Sequence, residues 1–193
     1  MLLTDKVINL LSLAAVLGHA GIVALVLLYG YDKYAKRRFA FPDAIVRFVS
    51  QYALPLAWGM ALISTVSSLF FSEFSHFEPC MLCWYQRIFM YPLAITTLVA
   101  GLFNDHRAAR YLLPLPVIGA GVSIYHLLVE NGVVEQTQAC LVSAPGGCAT
   151  KWIDKFGYVT IPTLALTAFA LTFAFLLFAL LDSDRTATVN ADA

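Results

Sequence analysis

Four cysteines, one arginine and one histidine are the residues of this 193-residue chain whose types and spacing can do chemistry. Cys80 and Cys83 form a CxxC within Glu78-Pro79-Cys80-Met81-Leu82-Cys83-Trp84, at the mouth of a long apolar block. Unpaired amides and the helix dipole at such a mouth favour thiolate over thiol, so this pair is suited to cycling between dithiol and disulfide. Cys140 and Cys148 are separated by Leu-Val-Ser-Ala-Pro-Gly-Gly. That spacing predicts a flexible loop whose disulfide is accessible to another protein and readily exchanged. Arg87 follows Cys83 one turn deeper on the same helix face, about 6 Å along the axis. His126 lies close to the end of a later apolar block and is expected at roughly the same depth, so that the two flank one ligand.

These residues must be positioned by helices in a bilayer. Hydrophobic residues make up 60% of the chain and charged residues 12%, and the mean hydropathy is +0.77, which excludes a soluble globular domain. The apolar residues fall in blocks at 7–30, 52–71, 84–103, 111–129 and 157–181, each about long enough to cross a hydrocarbon core of about 30 Å. The expected fold is therefore an all-α membrane protein of five transmembrane helices. Twelve basic residues balance twelve acidic ones, so no bulk field points to nucleic acid. With the cysteine segments 72–83 and 130–156 outside, Lys33, Lys36, Arg37, Arg38, Arg47, Arg107, Arg110 and Arg185 fall inside, against Lys6, Lys151 and Lys155 outside. This inward bias places both cysteine pairs in the oxidising compartment, where disulfides persist. The first block has no basic run before it and reads as a retained helix rather than a cleaved signal. Residues 1–50 form an appended helix with a basic loop, 51–182 a four-helix unit, and 183–193 a tail expected to be disordered. Pro55, Pro92, Pro114, Pro116 and Pro162 lie within the blocks and are expected to kink them.

Polar groups inside a span are costly, so Arg87 and His126 call for a use. A quinone ring fits between them. Its carbonyl oxygens gain charge and protons on reduction, and a fixed cation and a histidine beside the nearest thiolate, Cys83, stabilise that change. The plainer alternatives are an arginine that snorkels to head groups, a histidine satisfied within a bundle, and four cysteines that form two structural bridges or a zinc site. No histidine lies in the second loop to support zinc, so no metal is expected. His19, beside Gly18 and Gly21, reads as close helix packing. Trp84, Tyr85 and Tyr91 suit an interfacial belt or a pocket lining. In the run 149–156, Trp152, Ile153 and Phe156 share one helical face, which predicts a segment lying flat on the membrane that keeps the second cysteine pair near the first.

The run Cys80-Met81-Leu82-Cys83-Trp84-Tyr85-Gln86-Arg87 ahead of a helix resembles the hallmark of the disulfide bond formation protein B (DsbB) family. Tyr125-His126, the Cys140 and Cys148 pair, and Phe156-Gly157 leading to Ile161-Pro162 agree with the family pattern, and the resemblance covers about residues 52–181. It implies a DsbB-like four-helix transmembrane bundle in the bacterial inner membrane, here with one extra N-terminal helix. The implied activity is reoxidation of a DsbA-type thioredoxin-fold oxidase with ubiquinone or menaquinone from the membrane pool as acceptor. In that scheme Cys140 forms the mixed disulfide with the partner, Cys148 exchanges with Cys80, and Cys83 contacts the quinone with Arg87 and His126 alongside. A partner oxidase near about −120 mV cannot be reoxidised by thiol pools at roughly −180 to −320 mV, so an acceptor such as a quinone is required. Gln86 stands where well-known members carry glutamate, the second pair is closely spaced, and residues 1–50 are additional; these features are nearer to the short-loop branch called BdbC. Two rivals stay open: the vitamin K epoxide reductase family, in which the loop pair precedes the CxxC, and a non-enzymatic scaffold with structural disulfides.

Overall fold

Long apolar runs must satisfy every backbone polar group internally when they lie in lipid, and α-helix is the way a single segment does so. A computed structural model of the chain describes the backbone of residues 2–35 and 48–191 and the side chains of 2–23 and 48–181. Five long helices correspond to the five blocks: α1 (Leu2–Ala35), α2 (Ala53–Glu73), α3 (Met81–Leu102), α4 (Pro114–Glu130) and, after a short α5 (Gln138–Ser143), α6 (Ile161–Ala191). A 3-10 turn, His106–Ala108, and a short helix, Ala109–Leu112, lead into α4. Among the described residues there is no strand, and Lys155 and Val159 form an isolated bridge. Among the described residues, four helices are long and apolar enough to cross a membrane. α3 is as long, but Gln86 and Arg87 dilute it. The chain is thus an all-α, multi-pass membrane protein. The basic stretch 36–47 lies outside the described residues, so the placement of Lys36, Arg37, Arg38 and Arg47 is not given by the structure.

α2, α3, α4 and α6 pack as a bundle, and α1 lies against α6. Ala53, Ala57 and Ala61 of α2 are each 0% exposed, a small-residue stripe that lets neighbouring helices approach closely without a hydrophobic driving force. α4 and α6 meet through one knob: the Phe169 ring fills the space where a Cβ on Gly119 would stand. Several buried hydroxyls are satisfied within their own helices, Thr97 donating to Leu93 O, Ser123 to Gly119 O and Thr172 to Ala168 O.

Two expectations are corrected. Two of the five prolines do not kink spans: Pro55 and Pro162 sit in the first turns of α2 and α6, where the missing N–H is one that lacks a helical partner anyway. Pro92 is interior to α3, and Pro114 and Pro116 lie within the span His106–Glu130, whose helix is interrupted at Leu113. The last block starts at Ile161 rather than at residue 157, because Phe156 and Gly157 both take positive φ (56° and 76°) in a tight turn closed from Tyr158 N to Lys155 O. α6 runs on to Ala191, with no Gly or Pro beyond Pro162 to stop the helix.

The Gly119–Phe169 contact yields a test. Gly119→Ala should destabilise the detergent-solubilised protein by about 1–3 kcal/mol, as overpacking does, with Phe169→Leu in the same chain restoring much of the loss. Equal stability of Gly119→Ala and the parent in thermal unfolding would refute this packing.

Candidate functional site

The CxxC is built by the start of α3. Cys80, extended at φ −69° and ψ 171°, is the helix N-cap, and its Sγ accepts from Cys83 N at 3.4 Å. Cys83 is the third helical residue, and its Sγ lies 3.1 Å from that of Cys80, both as free thiols. An N-cap sulfur faces the unpaired amides of the first turn, an environment that stabilises an anion. Cys80 is accordingly held at about 4 instead of the ordinary 9.0, first by its hydrogen bond with Cys83 and further by His126, against the opposing effect of burial.

The second pair is folded down onto the first. Cys140 and Cys148 are joined as a disulfide, with Cα atoms 5.3 Å apart. Gly146 and Gly147 turn the chain back between them, at φ 76° and 70°, and a Cβ on Gly147 would collide with Gln136. Thr137 caps α5 by accepting from Cys140 N at 3.3 Å. The Ser143 hydroxyl then stitches the loop to the bundle, accepting from Met81 N at 3.0 Å and donating to Cys140 O at 2.8 Å. Cys80, Cys140 and Cys148 pack together with Leu82 and Val129, and the disulfide is buried, Cys140 being 2% and Cys148 1% exposed. The accessible, loose loop expected from the spacing is therefore not what the chain forms, because α5 and the diglycine turn close over the apolar sulfurs.

His126 lies between the pairs, 3% exposed. Its Nε2 donates to Cys148 O at 3.0 Å and is 3.7 Å from Cys80 Sγ, while Nδ1 accepts from Gln86 Nε2 at 3.4 Å. Gln86 thereby fixes the tautomer that carries its proton on Nε2, toward Cys148 O and Cys80 Sγ. The ligand atoms of Cys80, Cys83 and His126 lie within 4.8 Å of one another, a donor set that soft metal ions accept. The imidazole is already engaged on both nitrogens.

Arg87 points elsewhere. Neighbouring positions on a helix diverge by about 100°, so where Gln86 reaches His126, Arg87 turns toward α2. Its Nε donates to Ser68 Oγ at 3.0 Å and its terminal nitrogen to Ser68 O at 3.1 Å, with the guanidinium 5.0 Å from the Trp84 ring centroid. Arg87 and Cys83 line one apolar cavity of about 330 Å³, together with Gln86, Met90, Ser64 and Ile63; His126 is not among its lining residues. Trp152 stacks on Phe77, which stacks on Phe71, at centroid distances of 5.0 and 5.8 Å, to cover the cysteine end of this cavity. Trp152, Ile153 and Phe156 do not share a face as expected: Ile153 is buried, Trp152 is stacked and Phe156 is exposed in its turn.

Ser68, Ser143 and Glu130, which accepts from Thr160 Oγ1 at 2.8 Å one turn beyond His126, are residues around the site that sequence reasoning did not single out. Gln86 stands out in the sequence only as a departure from the family pattern, and its contact with His126 is not expected from it.

The Cys80 environment predicts a pH profile. With Cys140→Ser and Cys148→Ser in place, ultraviolet thiolate absorbance of the reduced protein should persist as pH falls and be lost only as it passes about 4. Cys83→Ala should move that midpoint upward, toward the ordinary thiol range. A parent midpoint near that of a free thiol, about 8.5, would contradict the assignment.

The family model described as disulfide bond formation protein DsbB matches residues 50–179. A probable disulfide formation protein of Deinococcus radiodurans is 46% identical over 130 residues, covering 64% of this chain and 85% of that protein. Disulfide bond formation protein C of Bacillus subtilis is 42% identical over 135 residues, covering 67% of this chain and 91% of that protein. A probable disulfide formation protein of Metapseudomonas resinovorans is 44% identical over 117 residues, covering 60% of this chain and 81% of that protein. No solved structure matches the chain. Because the match runs through the whole bundle that carries both cysteine pairs, the chain belongs to the DsbB family.

Proposed function

We propose that this membrane protein-disulfide oxidoreductase reoxidises a DsbA-type thioredoxin-fold oxidase and passes the electrons through Cys140/Cys148 and Cys80/Cys83 to ubiquinone or menaquinone. The observation that carries the reading is Arg87, a cation 9% exposed on the wall of an apolar cavity, held by neutral groups on Ser68 and the Trp84 face and adjoining Cys83. Among the described residues it has no carboxylate partner, so an oxygen gaining negative charge in the cavity is the group it would stabilise most. A quinone fits this place: the cavity of about 330 Å³ falls within the range of small-molecule sites, about 300–1,000 Å³, with its polar donors gathered near Cys83 and an apolar remainder. When bound, a quinone supplies an acceptor for two electrons and two protons.

The chain's own steps balance as thiol–disulfide exchange. A partner thiolate attacks Cys140 Sγ, breaking the Cys140–Cys148 bond and freeing the Cys148 thiolate. That thiolate attacks Cys80 of an oxidised Cys80–Cys83 pair and frees the Cys83 thiolate. The partner's second thiol then closes the partner disulfide and releases Cys140, whose thiolate re-forms the bond to Cys148 and releases Cys80. The end of this sequence, a closed loop pair and a CxxC dithiol, corresponds to the arrangement described above. His126 positions the exchange from the thiol side, its Nε2–H shared between Cys148 O and Cys80 Sγ, and reaches the cavity only through Gln86. Because Cys140 is buried, the partner must lift α5, and the exposed Leu141 and Val142 beside Cys140 are the surface it meets. We place the cysteine end outside the bacterial inner membrane, with Arg107 and Arg110 at the opposite end.

Arg87→Gln should lower kcat/KM for quinone by about tenfold or more, the effect of losing a charge-assisted hydrogen bond of roughly 1.5–3 kcal/mol. Transfer of a disulfide to the reduced partner in a quinone-free single turnover should be unchanged. Unaltered quinone kinetics, or equal damage to both steps, would sink the assignment of Arg87.

A further inference from the structure

The family match begins at residue 50, so α1 lies outside it, yet α1 contributes Leu11, Ala14 and Ala15 to the lining of the cavity that Cys83 and Arg87 enter. Its attachments bracket that stretch. On the N-terminal side, Thr4 and Ser75 hydroxyls are 3.2 Å apart, and Ile8 is buried with Phe71 and Ile153. On the C-terminal side, His19 Nε2 lies 2.7 Å from Thr167 Oγ1. The Thr167 hydroxyl already donates to Thr163 O at 2.8 Å, so its oxygen accepts and His19 Nε2 carries the proton. Gly18 sits against Leu171 and Thr167, where it allows α1 to lie close to α6. α1 is thus clasped to the cysteine end of α2 at one point and to α6 at another, and between the clasps it faces the cavity with two alanines.

We propose that α1 is a wall of the quinone site and sets which tail that site accepts, the first isoprenoid units running past Ala14 and Ala15 between α1, α2 and α6. This rests on the quinone reading above. A quinone head belongs where the donors are, at Arg87 and Gln86, and its hydrocarbon tail belongs against the apolar lining, Ile63 of α2, Leu164 of α6 and the α1 face. Small side chains at 14 and 15 leave space that a larger one would occupy. The part-buried His19–Thr167 hydrogen bond ties α1 to α6 and so fixes the wall's position. His19 therefore acts by positioning α1 and does not touch the reacting atoms.

The test uses full-length protein and two quinones with the same head group, one with a multi-unit isoprenoid tail and one without a tail. Binding is read by quenching of tryptophan fluorescence, since Trp152 lines the cavity, and turnover by quinone reduction with the reduced oxidase. Ala14→Phe and the milder Ala14→Val should weaken binding of the tailed quinone, about tenfold for Phe by overfilling the cavity, and leave the tail-less quinone within about twofold. His19→Ala should reduce discrimination between the two quinones. Leu13→Phe, at a position 52% exposed and outside the lining, serves as the control for a bulky change in α1. Wild type that binds both quinones while Ala14→Val and Ala14→Phe bind them unchanged, or lose both equally, overturns the α1 inference and leaves the quinone reading standing. Wild type that binds neither quinone overturns the quinone reading, and this inference with it.

Discussion

The imidazole of His126 reaches both cysteine pairs at once, and the rest of the site is arranged around that reach. One nitrogen donates to the carbonyl of Cys148 and approaches Cys80 Sγ, and the other is held by Gln86. Such a contact exists only if the second loop is folded flat on the mouth of α3. The diglycine turn, the Thr137 cap and the Ser143 bridge to Met81 each serve that closure. A loop free in solution would present its disulfide to any thiol. Buried as it is here, the disulfide is an intramolecular neighbour of Cys80, so that the proposed exchange between them would run at high effective concentration.

The opposite face of α3 has different chemistry. Arg87 is nearly buried, and the cost of removing a guanidinium from water is offset by two hydrogen bonds to Ser68 and by the Trp84 face. Its hydrogen-bond partners are neutral, and it lies beside Cys83 in a cavity lined mainly by hydrocarbon, with Glu78 on the same lining. Two consecutive residues of one helix thus point to different partners: Gln86 holds His126 beside the cysteine pairs and Arg87 bonds Ser68 at the cavity wall. The helical rotation of about 100° between them is what separates the two sites while keeping them within one turn of the same sulfurs.

The helices were legible in the sequence because bilayer length and backbone satisfaction impose long apolar runs, and all five blocks became helices. The CxxC at a helix mouth was legible for the same local reason. Pro55 and Pro162 were misread because block boundaries drawn from hydropathy are blurred by a turn or so, which is enough to confuse a first-turn proline with an interior one. The 149–156 segment was misread because helical periodicity over eight residues says nothing about a positive-φ turn at Phe156–Gly157. Burial of Cys140 and the split between Arg87 and His126 depend on which helix faces which, a tertiary fact that depth along separate helices does not contain.

The central claim is that electrons entering at the loop pair leave from Cys83 to a quinone. The most direct measurement is quinone reduction by purified protein supplied with a reduced thioredoxin-fold oxidase, comparing wild type, Cys83→Ser and Cys140→Ser. The account predicts oxidase-dependent turnover in wild type that both changes abolish. Absence of turnover with either ubiquinone or menaquinone, or turnover that survives Cys83→Ser, would contradict it.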